Sequence, residues 1–169
     1  MASKKTFKKA IKIILCVFLA LLIAVGGYLG YVLLSYSRID DNQAIIPIKT
    51  GEYGSAKLGE TYKILTQNIG FGAYTQDFTF FMDGGTQSWA ESKESVIECI
   101  EKAGDTAETD SPDFILFQEV DFDSTRSYHI NQREILEKRF NHLSSAFAVN
   151  YNSAFLMYPF HQPHGASKA

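Results

Sequence analysis

The stretch Asp113–Asp123, DFILFQEVDFD, places a short apolar run directly before a cluster of carboxylates. Phe114 to Phe117 has the length and composition of a buried β-strand, and Pro112 marks its beginning. Gln118 and Glu119 then stand at the carboxyl end of this strand. In layered α/β proteins this edge often carries functional side chains, because the rigid sheet holds them while they reach solvent.

The preceding segments predict a strand and a helix that complete a β-α-β unit. Thr61–Ile69, TYKILTQNI, is rich in β-forming residues and is predicted to be a strand that ends at Gln67 and Asn68. Ser88–Ala103 has the apolar spacing of an amphipathic helix, with Gly104 as its stop. Because a crossover helix favours parallel neighbouring strands, we expect Asn68 and Glu119 to lie at the same edge of the sheet.

The remaining soluble sequence predicts shorter elements. Residues 73–89 are rich in aromatic residues and glycine, which is typical of a long functional loop over an exposed edge. Residues 131–140 predict a helix with Asn131 as its cap. Residues 146–149 and 154–158 predict two further strands.

The amino-terminal third predicts a membrane helix. Residues 13–34 are 22 uncharged residues, and at about 1.5 Å per residue they match a bilayer core of about 30 Å. A cleaved signal peptide is the alternative, although its apolar region is shorter and ends at a small-residue cleavage site, which is not clear after Leu34. The predicted organisation is a basic cytoplasmic terminus (1–12), a transmembrane signal-anchor helix (13–36), an extracytoplasmic tether (37–60) and a domain (61–169).

Charge divides the chain in the same way. Five lysines and no acidic residue precede residue 37, which predicts a cytoplasmic amino terminus at the cell membrane with the domain outside the cytoplasm. The residues after that point include 11 Lys or Arg and 19 Asp or Glu, so the domain is acidic. This balance disfavours nonspecific binding of long nucleic acid. Cys16 and Cys99 are expected to be unpaired thiols.

The residues after the two strands suggest chemistry at the sheet edge. Glu119, with Asp121 and Asp123 close in sequence, suits Mg²⁺, which binds one or two carboxylates and keeps water or phosphate oxygens in its other positions. A solvated loop is the alternative for the two aspartates. Asn68 has the chemistry to orient a phosphate or a metal-bound water, and the alternative for this residue is a turn former.

Two further side chains follow in the next loop. Arg126 has a planar guanidinium that can clamp a phosphate, and its alternative is a surface arginine. His129 can act as a general acid or base near neutral pH, or be an incidental loop residue. The sequence has no phosphate-cradling glycine loop and no Gly-x-Ser-x-Gly nucleophile motif.

Two of these motifs together resemble a known family. Residues 66–70, TQNIG, followed by residues 112–121, PDFILFQEVD, resemble the endonuclease/exonuclease/phosphatase superfamily with its deoxyribonuclease I-like fold. The resemblance covers roughly residues 61–140. It implies that Asn68 belongs to the active site, that Glu119 binds Mg²⁺ (or Mn²⁺), and that Arg126 and His129 lie in a loop bordering the site.

The resemblance also implies a fold. The family has a four-layer α/β/β/α sandwich, and this chain is expected to form part of it after one transmembrane helix. The family's later Asp-x-Asn and Asp-His motifs do not occur after residue 140. The expected domain is therefore incomplete at its carboxyl end, as a fragment or as a remnant without its catalytic base. An incomplete two-sheet core is expected to leave an apolar sheet face uncovered and to be poorly stable.

The implied function is Mg²⁺-dependent hydrolysis of a phosphoester by a membrane-anchored enzyme. The substrate classes left open are nucleic acid, a phospholipid head group and a small phosphate ester. A non-catalytic membrane-anchored binding or vestigial domain is the alternative. A third hypothesis, a membrane protein organised by helix pairing through Gly26 and Gly30, leaves the soluble sequence unexplained.

Overall fold

The computed structural model describes residues 2–43, 46–49 and 55–169, and it divides into two units, Met1–Tyr36 and Ser37–Ala169. The first unit is helix α1, Ala2–Leu34. Its stretch Lys4–Leu34 is long and apolar enough to cross a membrane, and the apolar window is not buried in the protein. The helix therefore includes both the predicted span and most of the lysine-rich segment before it.

The second unit mixes helices and strands. Its helices are α2, Lys93–Thr109, and α3, Gln132–Arg139. Its strands are β1, Ile46–Lys49; β2, Ile64–Asn68; β3, Phe114–Gln118; and β4, Ser145–Phe147. They form two small sheets, in which β2 pairs with β3 in parallel and β1 pairs with β4 antiparallel.

Strand β1 lies inside the segment that the sequence predicts as a tether. It pairs with β4 in a register that places Ile46 opposite Phe147. Within the predicted tether, Ala44, Ile45 and residues 50–54 lie outside the described residues. The described part of the second unit therefore begins before residue 61.

The predicted β-α-β unit is confirmed. Strands β2 and β3 run parallel with Asn68 opposite Gln118, and α2 forms the connection between them. The apolar face of α2, with Val96, Ile100 and Ala103, packs in the core. The carboxyl ends of both strands consequently meet at one edge of the sheet.

Helix α2 differs from its predicted bounds at both ends. It begins after Ser92, whose hydroxyl caps the helix by accepting a hydrogen bond from the Ser95 amide at 3.0 Å. It passes through Gly104, which was predicted to stop it. A Cβ on Gly104 would lie 2.4 Å from Cδ of Arg139, so this glycine permits the close approach of α3. Local composition cannot distinguish such a packing glycine from a helix stop.

Two other strand predictions need correction. Residues 154–158 do not form a strand, and this part of the chain makes only the isolated bridges Leu156 to Gly165 and Asn152 to Lys168. Strand β3 is not buried as predicted, because Phe114 and Leu116 are 44% and 51% exposed. Along both strands exposed residues alternate with half-buried ones, so one face of this sheet is exposed. That face carries apolar Phe114 and Leu116 together with polar Asn68 and Gln118.

The carboxyl-terminal segment packs against the loop before α2. The amide of Ser88 donates a hydrogen bond to Oε1 of Gln162 at 2.9 Å, and Nε1 of Trp89 donates to the Pro163 carbonyl at 2.7 Å. His164 is only 2% exposed, and its ring lies 6.2 Å from that of Phe80 and 5.8 Å from that of Phe81. Its Nδ1 has no hydrogen-bond partner among the described residues.

We expect His164 to make stability depend on pH. Burial lowers the pKa of His164, the positive charge of Arg126 lowers it further, and the carboxylate of Asp121 partly offsets both. The unfolded chain then binds the proton at a higher pH than the folded chain. Stability is therefore present above about pH 6.5 and is lost below it, by at most about 1.4 kcal/mol per pH unit.

The measurement is thermal unfolding of the full chain in detergent between about pH 7 and pH 5, above the titration of ordinary carboxylates. His164→Gln should flatten the dependence, whereas the exposed control His161→Gln should keep it. An unchanged pH slope in His164→Gln would contradict this assignment.

Candidate functional site

The ends of β2 and β3 bring together Asn68 and Glu119, as predicted for parallel neighbours. Nδ2 of Asn68 donates a hydrogen bond to Oε1 of Glu119 at 2.9 Å, and both side chains are exposed. The Asn68 amide oxygen accepts a hydrogen bond from the Gly70 amide at 2.8 Å. Because the Gly70 N–H can only donate, the Asn68 atom that faces it must be the amide oxygen. This contact fixes the orientation of the Asn68 amide.

The backbone of Glu119 is held in the left-handed region. Its φ is +55°, which is uncommon for a residue with a side chain and costs about 1–3 kcal/mol. The Glu119 carbonyl accepts from the Phe71 amide at 3.0 Å, and the Gln118 carbonyl accepts from the Ile69 amide at 3.0 Å. These bonds continue the pairing of the two strands beyond the sheet, and they hold the carboxylate where the chain turns away.

An open cleft of about 610 Å³ lies beside this pair. Asn68, Glu119 and Tyr74 line it together with one face of α2. That face is formed by residues at positions i, i+3, i+4 and i+7, which are Cys99, Lys102, Ala103 and Thr106. None of these residues was predicted to belong to the site, although their helical spacing was the available signal.

The cleft contains groups of both signs. Lys102 pairs with Glu98, and this hydrogen bond raises the pKa of the Lys102 ammonium, which stays positively charged. Burial raises the pKa of Tyr74, and the carboxylates of Asp83 and Glu119 raise it further. Tyr74 is therefore a neutral hydroxyl near the carboxylate, and Lys102 lies on the helix side as one half of an exposed ion pair with Glu98.

Arg126 is buried, whereas an arginine that clamps a phosphate is expected at the surface. It is 9% exposed, and its Nε and Nη2 donate to the two carboxylate oxygens of Asp121 at 3.0 and 2.8 Å. Ser127 donates to the same carboxylate at 2.9 Å. The guanidinium also lies 3.9 Å from the ring centroid of Phe71. Asp121 is fully buried, so its prediction as part of a solvated loop is wrong.

His129 is exposed and pairs with Asp123. Its Nδ1 lies 2.6 Å from Oδ1 of that aspartate, and both side chains are more than half exposed. His129 is not among the residues that line the cleft. The structure thus brings Asn68 and Glu119 together, while the catalytic roles of Arg126 and His129 stay predictions.

The side chains at the cleft could hold a cation through a single carboxylate. Among residues 2–43, 46–49 and 55–169, no group of three or more His, Cys, Asp or Glu is arranged to hold a metal. Asp121 is committed to Arg126, which leaves Glu119 as the carboxylate lining the cleft. Mg²⁺ accepts such a site because it retains several waters. Asn68 presents its amide nitrogen to Glu119, so in this geometry it orients the carboxylate.

Comparisons with protein-family models, with curated proteins and with solved structures give no significant match to this chain. The geometry of the cleft and the sequence motifs therefore carry the functional proposal.

We expect the buried ion pair to dominate the stability of this region. Asp121→Asn removes the charge that compensates Arg126, and breaking a buried pair in this way costs about 3–5 kcal/mol. Asp123→Asn is the matched control, because its partner His129 is exposed and the expected change is below about 1 kcal/mol. Denaturant unfolding of both variants in detergent measures the difference, and equal losses would contradict the assigned role of Asp121.

Proposed function

We propose that this protein is a membrane-anchored phosphoester hydrolase that depends on Mg²⁺ or Mn²⁺. The observation that carries the proposal is the 2.9 Å contact between Asn68 and Glu119 at the ends of two parallel strands, beside an open cleft. The motifs TQNIG and PDFILFQEVD, which resemble the endonuclease/exonuclease/phosphatase superfamily, supply these two residues.

Each side chain has a proposed role. Glu119 would hold the cation, and Asn68 orients that carboxylate through its amide N–H. A bound Mg²⁺ would polarise the phosphoryl group and offset negative charge. Lys102, which forms an exposed ion pair with Glu98, lines the cleft on the side of α2.

We also propose the wider architecture implied by the resemblance. The β2-α2-β3 unit, covered on one face only, corresponds to part of a four-layer α/β/β/α sandwich. The lysines before the candidate span favour a cytoplasmic amino terminus and an extracytoplasmic domain. The acidic balance of the domain favours a lipid head group or a small phosphate ester over long nucleic acid.

A non-catalytic binding or vestigial domain is the second candidate. Two observations favour it: the part of the chain that the structure describes holds no cluster of three metal ligands, and Arg126 is engaged with Asp121. In that case Glu119 and Asn68 serve only to join the ends of β2 and β3.

The test is hydrolysis of bis-p-nitrophenyl phosphate by the full chain in detergent, with Mg²⁺, with Mn²⁺ and with a chelator. Asn68→Ala should lower metal-dependent turnover by about 10- to 100-fold, since it removes the group that orients the ligand, and Glu119→Gln should lower it further. Glu60→Gln, at an exposed position outside the cleft, is the control.

Binding of Mn²⁺, followed by electron paramagnetic resonance, separates the two candidates. Binding that Glu119→Gln abolishes, together with turnover, supports the hydrolase. Absence of both in the parent chain would overturn it in favour of the non-catalytic domain.

A further inference from the structure

One long stretch of the second unit carries no fixed charge. Residues 140–167 contain no Asp, Glu, Lys or Arg, although 21% of the chain is charged. Several large apolar side chains in this stretch are exposed, among them Tyr158 at 64% and Phe160 at 83%. Such exposure in a segment without charges is unusual for a water-facing surface.

These side chains join others from the loop before α2 in one surface. The ring of Tyr158 lies 5.8 Å from Phe81 and 6.1 Å from Phe160. Met82, next to Phe81, is 65% exposed. We call Phe81, Met82, Tyr158 and Phe160 the aromatic surface. Asp83 is its charged neighbour in sequence, and its carboxylate lies 3.5 Å from the hydroxyl of Tyr74, which lines the cleft.

Hydrogen bonds hold the segment that presents this surface. The Tyr158 carbonyl accepts from the His164 amide at 3.2 Å. Nε2 of His161 lies 2.8 Å from the Thr86 carbonyl, and Trp89 binds the Pro163 carbonyl at 2.7 Å. The backbone segment that carries the exposed rings is therefore held in one conformation. This lowers the entropic cost of inserting the rings into a lipid bilayer.

A lipid bilayer is the apolar phase that fits this surface, because the same chain carries a helix that can cross one. Lys4–Leu34 can cross a membrane, so the second unit is held at high local concentration near a bilayer surface. Aromatic side chains are favoured at the membrane interface, where a ring is buried and a hydroxyl such as that of Tyr158 stays hydrated. The absence of fixed charge in residues 140–167 avoids the cost of desolvating one.

The exposed face of the β2–β3 sheet fits this role less well. Leu116 is 51% exposed on this face, but the exposed positions of the two strands also include the polar residues Thr66, Asn68 and Gln118. Inserting that face would desolvate these polar groups, so it serves as an internal control.

We propose that the aromatic surface docks the second unit onto the lipid bilayer by inserting Phe160, Tyr158 and Met82 into the interface. Insertion is apolar, so it requires neither anionic lipid nor basic residues. This inference does not depend on the proposed hydrolysis, because it concerns a surface separate from Asn68 and Glu119.

The experiment uses the full chain in phosphatidylcholine vesicles that carry brominated acyl chains, which quench tryptophan at the interface. Phe160→Trp and Met82→Trp are two independent reporters, Leu116→Trp is the matched control, and the parent chain gives the baseline of its single tryptophan, Trp89. We expect both reporters to be quenched at least about twofold more than the control, at a depth of about 5–10 Å.

Salt and dilution complete the test. Quenching should be unchanged between about 0.1 M and 1 M salt, because screening does not weaken an apolar contact. Quenching of both reporters no stronger than that of Leu116→Trp would overturn the proposal. Quenching that falls as the protein is diluted in lipid would identify a second copy as the occupant, and would also overturn it.

Discussion

The buried carboxylate of Asp121 organises the loop between β3 and α3. Its side chain binds Arg126 and Ser127, and its backbone exchanges hydrogen bonds with Gln132, the first residue of α3. Arg126 in turn accepts a hydrogen bond from the Ala90 amide at 2.9 Å through its carbonyl. A buried ion pair gains little net energy unless every partner is satisfied. Here the Asp121 carboxylate is satisfied by Arg126 and Ser127, while the main-chain atoms of Asp121 and Arg126 bond to Gln132 and Ala90, which makes the pair an organising contact.

The same network positions the candidate site. The fully buried Gln132 side chain donates to the Phe71 carbonyl at 2.7 Å and accepts from the Asp121 amide at 3.1 Å, so it ties the segment after β2 to the segment after β3. The Phe71 amide then binds the Glu119 carbonyl. The left-handed backbone of Glu119 is thus fixed from outside the sheet. Packing contacts several residues away therefore maintain the strained backbone of Glu119, the candidate metal ligand.

Local sequence patterns predicted the elements that depend on local causes. Strand β3, helix α3 with its Asn131 cap and the Asn68–Glu119 contact follow from apolar runs, capping and the geometry of parallel strands. The Asp121–Arg126 pair could not be predicted, because it lies in irregular loops where no periodicity marks a buried side chain. Composition alone also could not show which residues of β3 are exposed, since it does not reveal which face of a sheet is covered.

Packed aromatic rings connect the cleft to the aromatic surface. Tyr74, which lines the cleft, lies 6.5 Å from Phe80, and Phe80 lies 5.0 Å from Phe81. The buried Phe71 contacts both Tyr74 and Phe80 and lies beneath the Arg126 guanidinium. These ring contacts therefore form a continuous packed path from the cleft to Phe81. The Arg126 guanidinium of the buried ion pair lies over Phe71 in this path, so the cleft and the aromatic surface share one aromatic core.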